Sequence, residues 1–401
     1  MFLNYHNNTS KLCEIGALYD TDKSSQRKNV TNQRHCHPYT LFYDSLFKNY
    51  NKNEYNIAEL GILDGASLLM WEVYFPNSKL YGFEYNTDLI NNFKKNFQSN
   101  AILTEVNVNY PESISSAFES INKVYDIIIE DTTHQFADQI RVIQNVTKYL
   151  KPGGVLIIED IFKHYNEKDY IDALGELLNE YQKYYFVTLD HVNRNSTGWD
   201  NDKLFVLVKK GPEIFKNNHK ITIITPSCRP SNLPKVKDSI NFDYVDQWII
   251  VYDGLKVHNN PNQFPDNPKI KEFIHTSEGI SGNPQRNYAL DQLNEETGYL
   301  YFLDDDNIIH PDLYKLLDIV DDDKVYSFNQ SRNGGVLYGN KLELKSVDTA
   351  MVLIHNKLCN GLKWISNLYD ADGHYIQNIY NNNKDKWMYV DNSLCYYNNL
   401  L

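Results

Sequence analysis

The sequence predicts two consecutive α/β domains of the doubly wound kind, and three observations carry that expectation. At 401 residues the chain exceeds the roughly 100–200 residues of one ordinary domain. Short, near-continuous apolar runs such as "YDIIIED" and "GVLIIEDI" alternate with stretches of helical periodicity, the pattern of parallel strands buried on both faces. A polar, breaker-containing segment, "KKGPEIFKNNHK" at residues 209–220, separates two such alternating series. No internal repeat relates one series to the other.

In the first series, "YNIAELGI" reads as a strand ending at Gly61, followed by helical spacing in "GASLLMWEVYF". "KLYGFEY" is the next strand and "DLINNFKKNF" an amphipathic helix. Between "YDIIIED" and "GVLIIEDI" lies the helical "DQIRVIQNVTKYL", stopped by Lys151-Pro152-Gly153-Gly154. Helical periodicity returns in "YIDALGELLNEYQKYY", and the strands "FVTLDHV" and "DKLFVLVKK" close the sheet as an antiparallel pair. The second series has the strands "ITIITP", "QWIIVYDG", "KEFIHT" and "YLYFLDDDN". The expected division is therefore a first domain over 1–211, a linker over 212–218 and a second domain over 219–401.

A net charge of −13 argues against nucleic-acid and anionic-membrane partners, both of which need a basic footprint. Cys13, Cys36, Cys228, Cys359 and Cys395 are scattered and odd in number, so neither a zinc ribbon nor a redox pair is indicated. Reduced thiols in the cytoplasm are the simplest expectation. "MFLNYHNNTSK" turns polar at once, unlike a secretory leader. No stretch approaches the roughly 20 apolar residues of a membrane span.

The first candidate site lies in "IAELGILDGAS", where Glu59 ends a strand and Gly61 and Gly65 form the next turn. Glycine there permits close backbone approach of a ligand. Glu84, at the end of "KLYGFE", sits at the spacing where an acidic group bonds ribose hydroxyls in Rossmann-like sites. Further acidic residues, Asp131, Glu159 and Asp160, follow later strands, with His134 nearby.

Taken in order, "ELGILDGASLLMW…KLYGFE", "DIIIEDTTHQ" and "LKPGGVLIIED" resemble class I S-adenosylmethionine-dependent methyltransferases. More narrowly they resemble the metal-dependent sugar O-methyltransferases of macrolide biosynthesis. The upstream "YDTDKSS…HPYTLFYDSLF" fits the same group through an Asp-Lys pair and a Tyr-x-x-x-Tyr. Leu63 departs from the usual glycine loop. The resemblance covers about residues 15–210. It implies that Glu84 holds the S-adenosylmethionine ribose and that Glu59, Gly61 and Gly65 shape the pocket. It also implies Mg²⁺ on Asp131, Glu159 and Asp160, with His134 as general base for a sugar hydroxyl.

The second candidate site is the "DDDN" that ends "YLYFLDDDN". Adjacent carboxylates resist ionising together unless something neutralises them, and helix capping explains one aspartate far better than three. "ITPSCRP" with Arg229, "QWIIVYDG" with Asp253, and "PQRNYALD" with Arg286 precede it. This order resembles glycosyltransferases of the GT-A fold, most closely the inverting glucuronosyl- and xylosyltransferases with a D-D-D-N core. The likeness spans roughly 219–380. It implies Asp306 ligating Mn²⁺ or Mg²⁺, with Asp304 or Asp305 bonding the ribose or completing the metal shell. Asp253 would meet the nucleoside and Arg286 the diphosphate of a nucleotide sugar, with a UDP-sugar the expected donor. For the acceptor-side base, "SNLYDADGHYIQNI" offers Asp370 and Asp372 and "LKSVDTAMVLIH" offers Asp348. The family's Glu-Asp pair is here a "DAD", and Asp372 is preferred.

The expectation is thus a bifunctional enzyme acting on a glycan or sugar acceptor, methylating in one half and glycosylating in the other. One rival keeps the methyltransferase and makes the second half a non-catalytic glycan-binding module. Another, a sugar nucleotidylyltransferase, needs a glycine-rich first loop that "TPSCRPSNLP" lacks. Homo-oligomerisation is allowed by the first resemblance and stays open.

Overall fold

The run YDIIIE forms the strand Tyr125–Glu130, buried at every position, because parallel neighbours flank it on both sides. The computed structural model describes every residue except 28–34, 197, 217, 218, 220, 259–261, 295, 296, 318, 321–323 and 401. The chain divides into two compact units, Met1–Lys216 and Asn217–Leu401. Of the expected linker, residues 217 and 218 lie outside the described residues, while Phe215 packs edge-on against Phe47 and Tyr50.

In the first unit the strands are β1 (Phe2–Asn4), β2 (Asn56–Leu60), β3 (Lys79–Glu84), β4 (Ile102–Glu105), β5 (Tyr125–Glu130), β6 (Leu150–Ile158), β7 (Tyr181–Asp190) and β8 (Lys203–Lys209). The helices are α1 (Lys11–Leu18), α2 (Tyr39–Phe47), α3 (Ala66–Tyr74), α4 (Thr87–Asn96), α5 (Pro111–Ile121), α6 (Phe136–Val146) and α7 (Glu167–Leu174). The sheet runs β1-β7-β8-β6-β5-β2-β3-β4, with β2 to β6 parallel and β8 antiparallel to both β6 and β7. This is the Rossmann-like order with its closing antiparallel pair. The chain departs in opposite directions from β2, so the strand ends there face a ligand crevice.

Two boundaries differ from expectation. Lys151-Pro152-Gly153-Gly154 ends the preceding helical segment but belongs to β6, where the β5–β6 register shifts; such a bulge tolerates Pro and Gly inside a strand. "EYQKYY" is not helical: α7 stops at Leu174, a 3₁₀ turn follows, and β7 begins at Tyr181. Pairing with β8 overrides its helical spacing.

In the second unit the strands are β9 (Ile221–Ser227), β10 (Val245–Asp253), β11 (Ile270–His275), β12 (Tyr299–Phe302), β13 (Val325–Arg332), β14 (Gly335–Leu337), β15 (Val352–His355) and β16 (Trp387–Tyr396). The helices are α8 (Leu233–Ser239), α9 (Asn283–Asp291), α10 (Leu313–Leu317) and α11 (Ala371–Asn382). The order is β11-β10-β9-β12-β15-β13-β16, with β14 on β13. β9 is parallel to both β10 and β12, so this α/β sheet has its own switch point at the end of β9. Among the described residues no helix is long and apolar enough to cross a membrane.

Candidate functional site

In the first unit the ends of β2, β5 and β6 bring Glu59, Asp131, Glu159 and Asp160 together. Gly61 makes this convergence possible. Its φ is +84°, and a Cβ there would stand 1.9 Å from the Asp131 carbonyl oxygen, so only glycine lets the turn after β2 lie against the end of β5. Gly65 has the same φ, and its missing Cβ leaves room for the Phe93 ring. Glu84, at the end of β3, grips this turn: one carboxylate oxygen accepts from the Leu63 N–H at 3.1 Å, the other from the Asn86 N–H at 3.0 Å.

Helix α2 covers the carboxylates. Tyr39 and Tyr43 are one turn apart and project from the same face. The Tyr39 hydroxyl donates to Asp160, and the Tyr43 hydroxyl donates to Glu159. Lys23, only 2% exposed, donates to Asp131 and Glu159, and its ammonium lies 3.4 Å from Glu59 Oε1. Ser67 donates to the other Glu59 oxygen at 2.9 Å. Burial alone would depress the lysine, but Asp131, Glu159 and Glu59 together hold its pKa well above normal. Burial pushes Glu59 up to about 7 against the pull of Lys23. Asp131 stays below the ordinary carboxylate range because Lys23 and His134 outweigh its desolvation.

His134 stands between two aspartates. Its Nδ1 is 3.8 Å from Asp131 Oδ1 and its Nε2 3.5 Å from Asp160 Oδ2. One ligand atom from each of Asp131, His134 and Asp160 falls within 4.8 Å of the others, the geometry of a small cation site. Nδ1 is buried without a hydrogen-bond partner, as a nitrogen kept for a ligand or a proton would be. His134 and Asp160 both have positive φ, 58° and 55°, conformations that cost about 1–3 kcal/mol and concentrate at functional sites. Behind them, His37 Nδ1 lies 2.8 Å from Asp202 Oδ1. Burial would lower this imidazole, yet Asp160 and Asp202 raise it to about 9.

Glu159 does not join this triad: Lys23 and Tyr43 take up its two oxygens. The grouping of ligand atoms thus brings together Asp131 and Asp160 of the expected set and leaves Glu159 outside it. Lys23, Tyr39 and Tyr43 fall in the segment noted for its Asp-Lys and Tyr-x-x-x-Tyr pattern. Their hydrogen-bond partners Asp131, Glu159 and Asp160 lie more than a hundred residues away in sequence, so pattern alone gave them no role.

In the second unit the three aspartates face two arginines. Both Asp305 oxygens are committed. Oδ2 accepts from Ser227 Oγ, Cys228 N and Arg229 N at 3.0, 2.8 and 2.7 Å, and Oδ1 from Arg229 Nε and Nη2 at 2.8 and 2.6 Å. Arg229 Nη2 also reaches Asp306 Oδ2 at 2.7 Å, and Arg286 pairs with Asp304. Asp305, 2% exposed, thus ties the turn after β9 to the end of β12 and is the least available of the three to a cation, contrary to its expected place in a metal shell.

These groups line a cavity of about 830 Å³ that also holds Asp253, Asp348, Asp370 and Asp372. Gly282 opens it: with φ +75°, its missing Cβ leaves room for Pro226 at the end of β9. Arg286 is seated by Trp364, whose ring centroid is 4.7 Å from the guanidinium carbon. Asp253 is braced by Lys256 at 3.4 Å. Desolvation, then Asp304, raises Asp306. Burial also raises Asp372 and Asp348. Asp348 caps a 3₁₀ turn by accepting from Ala350 N at 3.5 Å and contacts Arg332, whereas Asp372 and Asp370 stand at the start of α11.

Residues 65–217, less than half the chain, match the family described as a methyltransferase domain. Mycinamicin VI 2''-O-methyltransferase of Micromonospora griseorubida is 22% identical over 142 residues, covering 32% of this chain and 33% of that protein. Demethylmacrocin O-methyltransferase of Streptomyces fradiae is 26% identical over 137 residues, again 32% and 33%. The chain therefore spans about a third of the length of these curated relatives. Among solved structures, the MycE methyltransferase of the mycinamycin pathway with Mg and SAH aligns with a TM-score of 0.37 at 17% identity, over 51% of this chain and 56% of that one. Staphylococcus aureus TarS 1–349 with UDP aligns with a TM-score of 0.36 at 15% identity, over 44% and 60%. Scores this low establish no shared architecture by themselves.

Proposed function

We propose that the chain is a two-domain glycan-modifying enzyme, with methyltransferase 1–211, linker 212–218 and glycosyltransferase 219–401. The first domain transfers a methyl group from S-adenosylmethionine to a sugar hydroxyl. The observation that carries this is the convergence of Asp131, His134 and Asp160 beside the glycine turn that Glu84 braces. The names of the relatives, all sugar or macrolide O-methyltransferases, agree with it. Glu84 can exchange its backbone partners for ribose hydroxyls. Asp131 and Asp160 supply the hard oxygen donors that suit Mg²⁺. When bound, the cation lowers the pKa of a coordinated hydroxyl. His134, held between the two aspartates, serves as the base for the hydroxyl proton and not as a ligand, while Lys23, Tyr39 and Tyr43 keep the carboxylates in place.

The second domain transfers a sugar from a nucleotide donor, for which UDP is the first candidate. Asp306 and Asp304 face the cavity, Asp253 stands at the end of β10, and Arg286 can meet a diphosphate bidentately. Asp372 is the acceptor-side base: it stands on the cavity wall at the start of α11, whereas Asp348 is committed to its cap, and burial holds the Asp372 carboxyl above the usual range. One observation favours the rival reading, a glycan-binding module: Arg229 and Arg286 pair with all three aspartates without a metal.

Radiolabelled methyl transfer from S-adenosylmethionine to a panel of methyl hexopyranosides, with Mg²⁺ or with EDTA, tests the first activity. Transfer that needs Mg²⁺ and falls at least about a hundredfold in Asp131→Asn supports it. Transfer to none of the sugars, or transfer indifferent to EDTA and to this substitution, overturns it.

A further inference from the structure

Trp71 and Trp248 are wholly buried, whereas Trp199 is 43% exposed. It stands in the strongly polar connection between β7 and β8, "HVNRNSTGWDND". That connection is firmly held: Lys163 pairs with Asp200 at 2.7 Å, its N–H donates to the Asp200 carbonyl at 2.7 Å, and Arg194 pairs with Asp202. The indole leans on Phe162 at 5.7 Å between centroids and stands perpendicular to His134, 87° at 6.3 Å. The rings of Phe162, His134 and His35 cover part of the indole and leave the rest of it to solvent. A pyranose carries a patch of C–H bonds on one ring face and directs its hydroxyls outward from the rim. The C–H patch is positively polarised and suits the negative face of an indole, leaving the hydroxyls for polar groups alongside.

We propose that Trp199 is the platform on which the acceptor sugar ring stacks, presenting one rim hydroxyl to His134. The inference rests on the methyltransferase reading and names what that reading leaves open: the acceptor is held by a C–H face of its pyranose. Phe162 backs the platform, and the ion pairs of Asp200 and Asp202 fix its height. Trp199 is a positioning residue, which contacts substrate but moves no proton.

The test is saturation-transfer NMR on the full chain with S-adenosylhomocysteine and Mg²⁺, irradiating aromatic protons in the presence of the methyl hexopyranoside panel. Calorimetric binding of S-adenosylhomocysteine serves as the control for folding. The expected result is transfer concentrated on the C–H protons of one ring face of at least one sugar. Trp199→Ala should weaken glycoside binding about tenfold or more, Trp199→Phe should largely restore it, and S-adenosylhomocysteine affinity should stay within about twofold in both. Glycoside binding unchanged in Trp199→Ala overturns the platform. So does loss of S-adenosylhomocysteine binding in that variant, which makes the residue a structural support, and so does a wild type that binds S-adenosylhomocysteine but no pyranoside. A wild type that does not bind S-adenosylhomocysteine removes the methyltransferase reading and the platform together.

Discussion

The two units place acidic side chains at the same topological point, the strand ends beside a switch in sheet order, yet neutralise them in opposite ways. In the first, a single ammonium, Lys23, is buried among three carboxylates, and the hydroxyls of Tyr43 and Ser67 supply further donors. In the second, two guanidinium groups pair with three aspartates at the wall of an open cavity, with both oxygens of Asp305 committed but one each of Asp304 and Asp306. The first arrangement spends one oxygen of Asp131 on Lys23 and one of Asp160 on Tyr39, and the other two face His134 with no cationic side chain between them other than that imidazole, so it suits a bare cation. In the second, each aspartate that faces the cavity is paired with a guanidinium that competes with a metal, and drawing the arginines away would favour the cation. An anionic diphosphate would do that, so the cation is expected to enter with the nucleotide. The sheet fixes where a site forms, and the counter-charge decides what can occupy it.

The largest expected effect breaks the first arrangement. Lys23→Met leaves three carboxylates buried without their cation and should cost about 3–5 kcal/mol of stability, read from urea unfolding at neutral pH. A loss below about 1 kcal/mol would mean that the carboxylates are not held by the lysine. Arg229→Met should cost less, about 1–2 kcal/mol, since Ser227 and two backbone N–H groups still hold Asp305 and water reaches the site. Equal losses in the two variants would erase the contrast between a dry cluster and a wet one.

Much of this was legible in the sequence, and the exceptions share a cause. YDIIIE could be read as a strand because burial on both faces leaves an unbroken apolar run. The acidic residues after β2, β5, β6 and β12 could be placed because strand ends in such sheets form the ligand crevice. What could not be read depended on distant partners. "YQKYY" has helical spacing but is claimed by β8. Short elements such as β1 and β4 carry too little periodicity to stand out, and β1 exists through its pairing with β7. Asp305 looks like its two neighbours in sequence, and only the turn after β9 makes it structural. Trp199 sits in a polar loop with no pattern to mark it, and only its distance to His134 gives it a role.

The contrast between the two clusters is tested most directly by calorimetric titration of Mn²⁺ into the full chain, with and without saturating UDP. The account predicts one cation site without UDP, abolished in Asp131→Asn/Asp160→Asn. With UDP it predicts a second site, abolished in Asp304→Ala/Asp306→Ala. The same stoichiometry with and without nucleotide, or a first site that survives loss of Asp131 and Asp160, would contradict it.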